Sequence, residues 1–103
     1  MKQDVLRKDV ESAIQTACKH AEEKDNVKLS DESKIIIGAE VLCQKLFGQN
    51  ISKFATYDEN DPTQVHCMIY VNYKQFLGIG ESKIQARYRA CKKFYNHFVK
   101  TLK

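Results

Sequence analysis

Two cations four residues apart, Lys83 and Arg87, follow the stretch Gly78-Ile79-Gly80-Glu81-Ser82. Ser82 is the residue type of a helix N-cap, its hydroxyl able to accept from an orphan amide of the first turn. A helix starting there projects Lys83 and Arg87 from one face, at the positive end of its dipole. Cations at that end are slightly unfavourable for the helix itself. Bare amides, Lys and Arg together make a site for anions, phosphate above all. The two glycines either let the backbone take conformations closed to a residue with a Cβ, or let another backbone come close. The competing reading of the two cations is ordinary surface charge at a helix start.

Other chemistry finds little support. His20, His66 and His97 are scattered, and there is no Ser–His–acid set, acidic metal cluster or Gly-rich nucleotide loop. The expectation is a non-enzyme with no catalytic residues, no cofactor and no small-molecule substrate. Cys18, Cys43, Cys67 and Cys91 are evenly spread and include no C-x-x-C pair. A zinc site needs clustered ligands, and the adjacent His66 and Cys67 point to opposite faces of a strand. No metal is expected, and the cysteines read as small buried thiols in a reducing compartment.

The chain has 103 residues, 43% hydrophobic and 29% charged, which suits one small domain with an added element and does not read as disordered. No apolar run approaches the ~20 residues of a membrane helix. With no signal-peptide stretch at the N-terminus, the expected setting is intracellular, nucleus or cytoplasm. The net charge of +4 is unevenly spread. Residues 1–61 hold nine Lys/Arg and twelve Asp/Glu, whereas residues 62–103 hold eight Lys/Arg and the single acid Glu81, giving +7. A basic half of this kind suggests a surface facing a polyanion.

The elements that must position Lys83 and Arg87 follow from periodicity. Residues 4–23 read as an amphipathic helix with Leu6, Val10, Ala13, Ile14, Ala17 and Ala21 on one stripe, Asp4 as a cap and Asp25-Asn26 as its end. Its stripe must pack on the domain behind it, on a partner or on its own copy. Ser30 caps a second helix to about Phe47, ended by Gly48. Strands are expected at Ile51–Tyr57, Gln64–Val71 and Lys74–Gly80, with Val65, Cys67, Ile69 and Val71 on one face and a hairpin turn at Asn72-Tyr73. Short connections make the sheet antiparallel. The last helix runs from Ser82 to about Lys100, with Ile84, Tyr88, Cys91, Phe94, Tyr95 and Phe98 as an apolar arc. Lys83 and Arg87 lie at its edge, and Arg89, Lys92, Lys93 and Lys100 lie well away from it. The small Ala86 and Ala90 permit close packing. The fold class is α+β: a helical extension over 1–29, then a domain over 30–103 in which two helices cover a three-stranded sheet.

The αβββα order, with the Gly78–Arg87 stretch between third strand and last helix, resembles the double-stranded RNA-binding domain, whose signature there is G-x-G-x-S-K-K-x-A-K. Gln44-Lys45 near the end of the first domain helix, and Ala90-Cys91 followed by Phe94-Tyr95 and Phe98, are similar to the family pattern. The resemblance implies a non-catalytic module that reads A-form RNA by shape, spanning ~16 base pairs and touching two minor grooves and the phosphates between them. It implies that Lys83 and Arg87 bridge major-groove phosphates, that Thr63 and Gln64 enter one minor groove, and that Gln44 and Lys45 enter the other. The family loop G-P-x-H is here Asp61-Pro62-Thr63-Gln64, with Asp58, Glu59 and Asp61 around it. The second signature lysine is Ile84, and the usual glutamate of the first domain helix is Val41. Each departure removes a contact. They keep open a second expectation, the same fold used for protein interaction or for homodimerisation through the N-terminal helix or the sheet. Variants of this kind occur at the C-terminus of fungal RNase III and Dicer-like enzymes.

Overall fold

The structure is a computed structural model; it describes residues 5–103, except the side chains of residues 53, 54 and 57. Helices α1 (Arg7–Asp25) and α2 (Asp31–Phe47) precede strands β1 (Ser52–Tyr57), β2 (Val65–Val71) and β3 (Lys74–Gly80), and helix α3 (Lys83–Val99) follows. The three strands form one antiparallel sheet in the order β1-β2-β3. The α+β class, the three helices and the antiparallel sheet agree with expectation.

Local chemistry sets the ends of these elements. The Ser30 hydroxyl accepts the Ser33 amide at 3.1 Å, and Gly48 closes α2 in the left-handed region at φ 67°. Asn26 closes α1 likewise at φ 51°. Asn72 and Tyr73 both have positive φ, the geometry of a two-residue turn whose twist suits a hairpin. The proposed Asp4 cap lies outside the described residues. The structure has Leu6 at that position, with no side-chain cap bond, so α1 starts later than the apolar stripe suggested.

Helix α3 packs on one face of the sheet, and α2 packs on α3 and shares the same core. Val65, Cys67, Ile69 and Val71 of β2 are buried there with Leu42, Cys43 and Leu46 of α2 and Phe94 and Phe98 of α3. Phe76, Phe94 and Phe98 pack as neighbouring rings, Phe94 and Phe98 with centroids 5.0 Å apart. None of the four cysteines forms a disulfide, and all four are buried. Helix α1 packs on α2 and belongs to the same core, since Val10 is fully enclosed. Its start is tied to the chain's end: Arg7 donates its amide to the Lys103 carbonyl, and Lys103 donates back to Val5. The apolar stripe of α1 is thus spent largely on its own domain.

The apolar arc of α3 differs from expectation at its first member. Ile84 is 51% exposed, and the stripe that faces the sheet is Ala86, Ala90, Cys91, Phe94 and Phe98. The reason lies in β3. A Cβ on Gly78 would overlap the Ala86 carbonyl oxygen and the Ala90 amide, and one on Gly80 would sit 2.9 Å from the Ala86 amide. Neither glycine has positive φ, so both serve close approach, not an unusual backbone conformation. The strand offers no side chains there, and the helix descends on it by its smallest face.

Candidate nucleic-acid interface

The β2–β3 pairing brings two parts of the candidate site to one end of the sheet. Val65, the first residue of β2, pairs with Gly80, the last of β3. The β1–β2 loop, residues 58–64, and the entry to α3 therefore lie side by side. Lys83, exposed, opens α3; Arg87, half-buried, follows one turn later; Thr63 and Gln64, both exposed, leave the neighbouring loop. Gln44 and Lys45 are exposed on the last turn of α2. That turn leads through residues 48–51 into Ser52, which pairs with Tyr70 beside the hairpin. They belong to the opposite end of a seven-residue strand, about 20 Å away. The structure brings together four of the six candidate residues and sets these two apart.

The start of α3 is less bare than its composition suggests. The Ser82 hydroxyl accepts the Gln85 amide at 3.2 Å, and the Gln85 side-chain oxygen accepts the Glu81 amide at 2.7 Å. This reciprocal capping occupies one first-turn amide and orients the turn. The Arg87 Nε is buried with no hydrogen-bond partner, so the arm of this side chain lies against protein. Helix α3 carries Lys83, Arg87, Arg89, Lys92 and Lys93 and no acid.

Two of the three loop acids, Asp58 and Asp61, which look repulsive to a phosphate backbone, have structural work. Asp58 accepts the Asn60 amide at 2.8 Å and approaches His66 Nε2 at 3.4 Å. Asp61 accepts both the amide and the hydroxyl of Thr63. These two bonds, the hydroxyl's first, hold its carboxyl below the usual value. Gln64 donates its amide to the Asp61 carbonyl and accepts from the Asp58 amide, which closes the loop. The sequence signal was present: Asp58–Asn60 and Asp61–Thr63 have the two-residue spacing of Asx turns.

Arg89 and Lys93, exposed and away from the apolar stripe as expected, also bond the neighbouring strand: Arg89 donates to the Ile79 carbonyl at 2.6 Å and Lys93 to the Leu77 carbonyl at 2.7 Å. Among the described residues no group of three or more His, Cys, Asp or Glu could hold a metal ion, and no helix is long and apolar enough to cross a membrane. Compared with protein-family models, curated proteins and solved structures, the chain matches none.

Proposed function

We propose that the chain is a divergent double-stranded RNA-binding domain, a non-catalytic module that binds duplex RNA by shape and phosphate contacts within a larger RNA-processing protein or complex. The observation that carries this reading is the Val65–Gly80 pairing, which sets the Thr63–Gln64 loop beside the capped helix start bearing Lys83 and Arg87. Duplex recognition of this kind needs contacts spread along the molecule. Gln44 and Lys45, toward the far end of the sheet about 20 Å away, spread the candidate contacts in this way. The excess of cations after residue 61 supplies the attraction.

A second reading, protein docking by the same fold, is favoured by one observation: Ile84 stands half-exposed between the two cations, where the resemblance calls for lysine. Titration of a ~20 base-pair RNA duplex at two salt concentrations separates the readings. RNA recognition predicts binding that weakens steeply with salt. The double variant Lys83→Glu, Arg87→Glu should lose affinity and lower the log–log salt slope by about 2. Equal affinity and slope for wild type and variant would overturn RNA recognition and leave protein docking.

A further inference from the structure

The second pair of cations on α3 lies on a different flank. Arg89 is two positions beyond Arg87, about 200° round the helix. Together with Lys92 and Lys93 it lines an open groove of about 550 Å³ between α3 and the edge of β3, whose other walls are Gly78, Ile79, Tyr88 and Asn96.

The backbone of that edge can be assigned. Asp58 donates its amide to the Gln64 carbonyl, so the even-numbered residues of β2 bond toward β1 and the odd-numbered ones toward β3. Gly78 and Gly80, opposite Cys67 and Val65, therefore bond inward, and Leu77 and Ile79 face out. Their carbonyls are held by Lys93 and Arg89. Their amides face the same side. A free edge normally offers donors and acceptors alternately and templates another strand. Here the acceptors are taken by cations, and the edge presents amide donors and positive charge.

We propose that this groove binds an extended acidic peptide whose carboxylates fall at alternate positions. Arg89 and Lys93 are four helical residues apart, about 6 Å along the axis. Side chains at alternate positions of an extended chain lie on one face about 6.8 Å apart. The structure already displays this match, since the same two cations meet carbonyls two strand residues apart. Each cation keeps further donors after its carbonyl bond, because a guanidinium has five and an ammonium three. Lys92, which bonds the Tyr88 hydroxyl at 3.4 Å, provides a third charge. The groove has an apolar wall in Ile79 and Tyr88 and amides at strand spacing, which suits a peptide better than a rigid duplex.

The test is fluorescence anisotropy of a labelled peptide in which Glu alternates with Thr, with a Gln-for-Glu peptide as control. Binding should require Glu, shift the NMR signals of the Leu77 and Ile79 amides, and weaken roughly tenfold in the double variant Lys92→Glu, Lys93→Glu. The double variant Lys83→Glu, Arg87→Glu should bind the peptide as wild type does. Lys93 also holds a strand carbonyl, so Lys92→Glu alone, which leaves both carbonyl bonds in place, should weaken binding in the same direction. The proposal is overturned by no anisotropy change up to about 1 mM peptide, by equal binding of the Gln peptide, or by loss confined to the Lys83/Arg87 variant. Displacement of the peptide by single-stranded RNA at lower concentration would assign the groove to nucleic acid instead. A dimer that excludes the peptide would assign it to a second copy.

Discussion

Replacing Gly78 by alanine tests the contact that sets α3 on the sheet. The added Cβ would overlap the Ala86 carbonyl oxygen and the Ala90 amide, backbone atoms that cannot rotate away. Ordinary contact begins near 3.4 Å, so α3 must retreat from β3 by about 1 Å. The retreat loosens Cys91, Phe94 and Phe98, all buried on the same side of the helix. Overpacking of this kind costs about 3 kcal/mol. At roughly 4–8 °C per kcal/mol for a chain of this size, the midpoint should fall by about 12–24 °C. Gly48→Ala is the reference: no atom lies within 4 Å of the new Cβ, and the strain comes only from φ +67°, costing about 1 kcal/mol. Thermal and urea unfolding of both variants, followed by far-UV circular dichroism, measures the difference. If Gly78→Ala unfolds as wild type does, or Gly48→Ala proves the more damaging, the account of how α3 is seated is wrong.

Two further predictions concern titration. Asp61 is held below its ordinary value by the Thr63 hydroxyl and amide, so its contribution to stability is present above the ordinary pKa of 3.8 and lost as pH falls through its lowered folded value. Thr63→Val should move the Asp61 titration upward in an NMR pH series, and an unchanged midpoint would refute the assignment. Burial pushes the Cys43 thiol from 9.0 up to about 11, so its contribution is present below pH 9 and lost as pH rises toward 11. Cys43 should resist alkylation at pH 8 in the folded protein and react on unfolding, as mass spectrometry of the labelled chain can show.

Much of the fold was legible because its signals are local. Ser30, Gly48, Ser82 and the Asn72-Tyr73 turn act on neighbours within four residues, and the alternation in β2 needs only a period of two. What escaped depends on strand order and on partners distant in sequence. Nothing in residues 83–99 tells that β3 is an edge strand, so the bonds of Arg89 and Lys93 to carbonyls ten and sixteen residues back were not legible in their spacing. The α3 arc was misread at Ile84 for a related reason. Two overlapping stripes satisfy the helical period, and only the approach at Gly78 and Gly80 selects the one through Ala86 and Ala90. In the candidate site, Lys83 and Arg87 announced themselves by spacing. That Thr63 and Gln64 sit beside them follows from the register of β2 on β3.

Position 84 separates charge kept for a ligand from charge kept for solubility. It is the second residue of α3, 51% exposed, one position after Lys83 and three before Arg87. For helix stability alone an acid belongs there: it would face the positive end of the dipole and pair with Arg87, together worth about 0.5–1 kcal/mol. A lysine would be unfavourable by about the smaller part of that. For RNA the order reverses, because lysine adds a phosphate contact and raises the salt slope by about 1, whereas glutamate sets a negative charge between two cations. Ile84→Glu should therefore be the more stable protein and the weaker RNA binder, and Ile84→Lys the reverse. Docking of a protein on exposed Ile84 predicts something else: both variants lose the partner and neither changes RNA affinity. Thermal unfolding and duplex titration on the same two variants decide the matter, since a surface kept only for solubility would let stability and salt slope vary without this inverse relation.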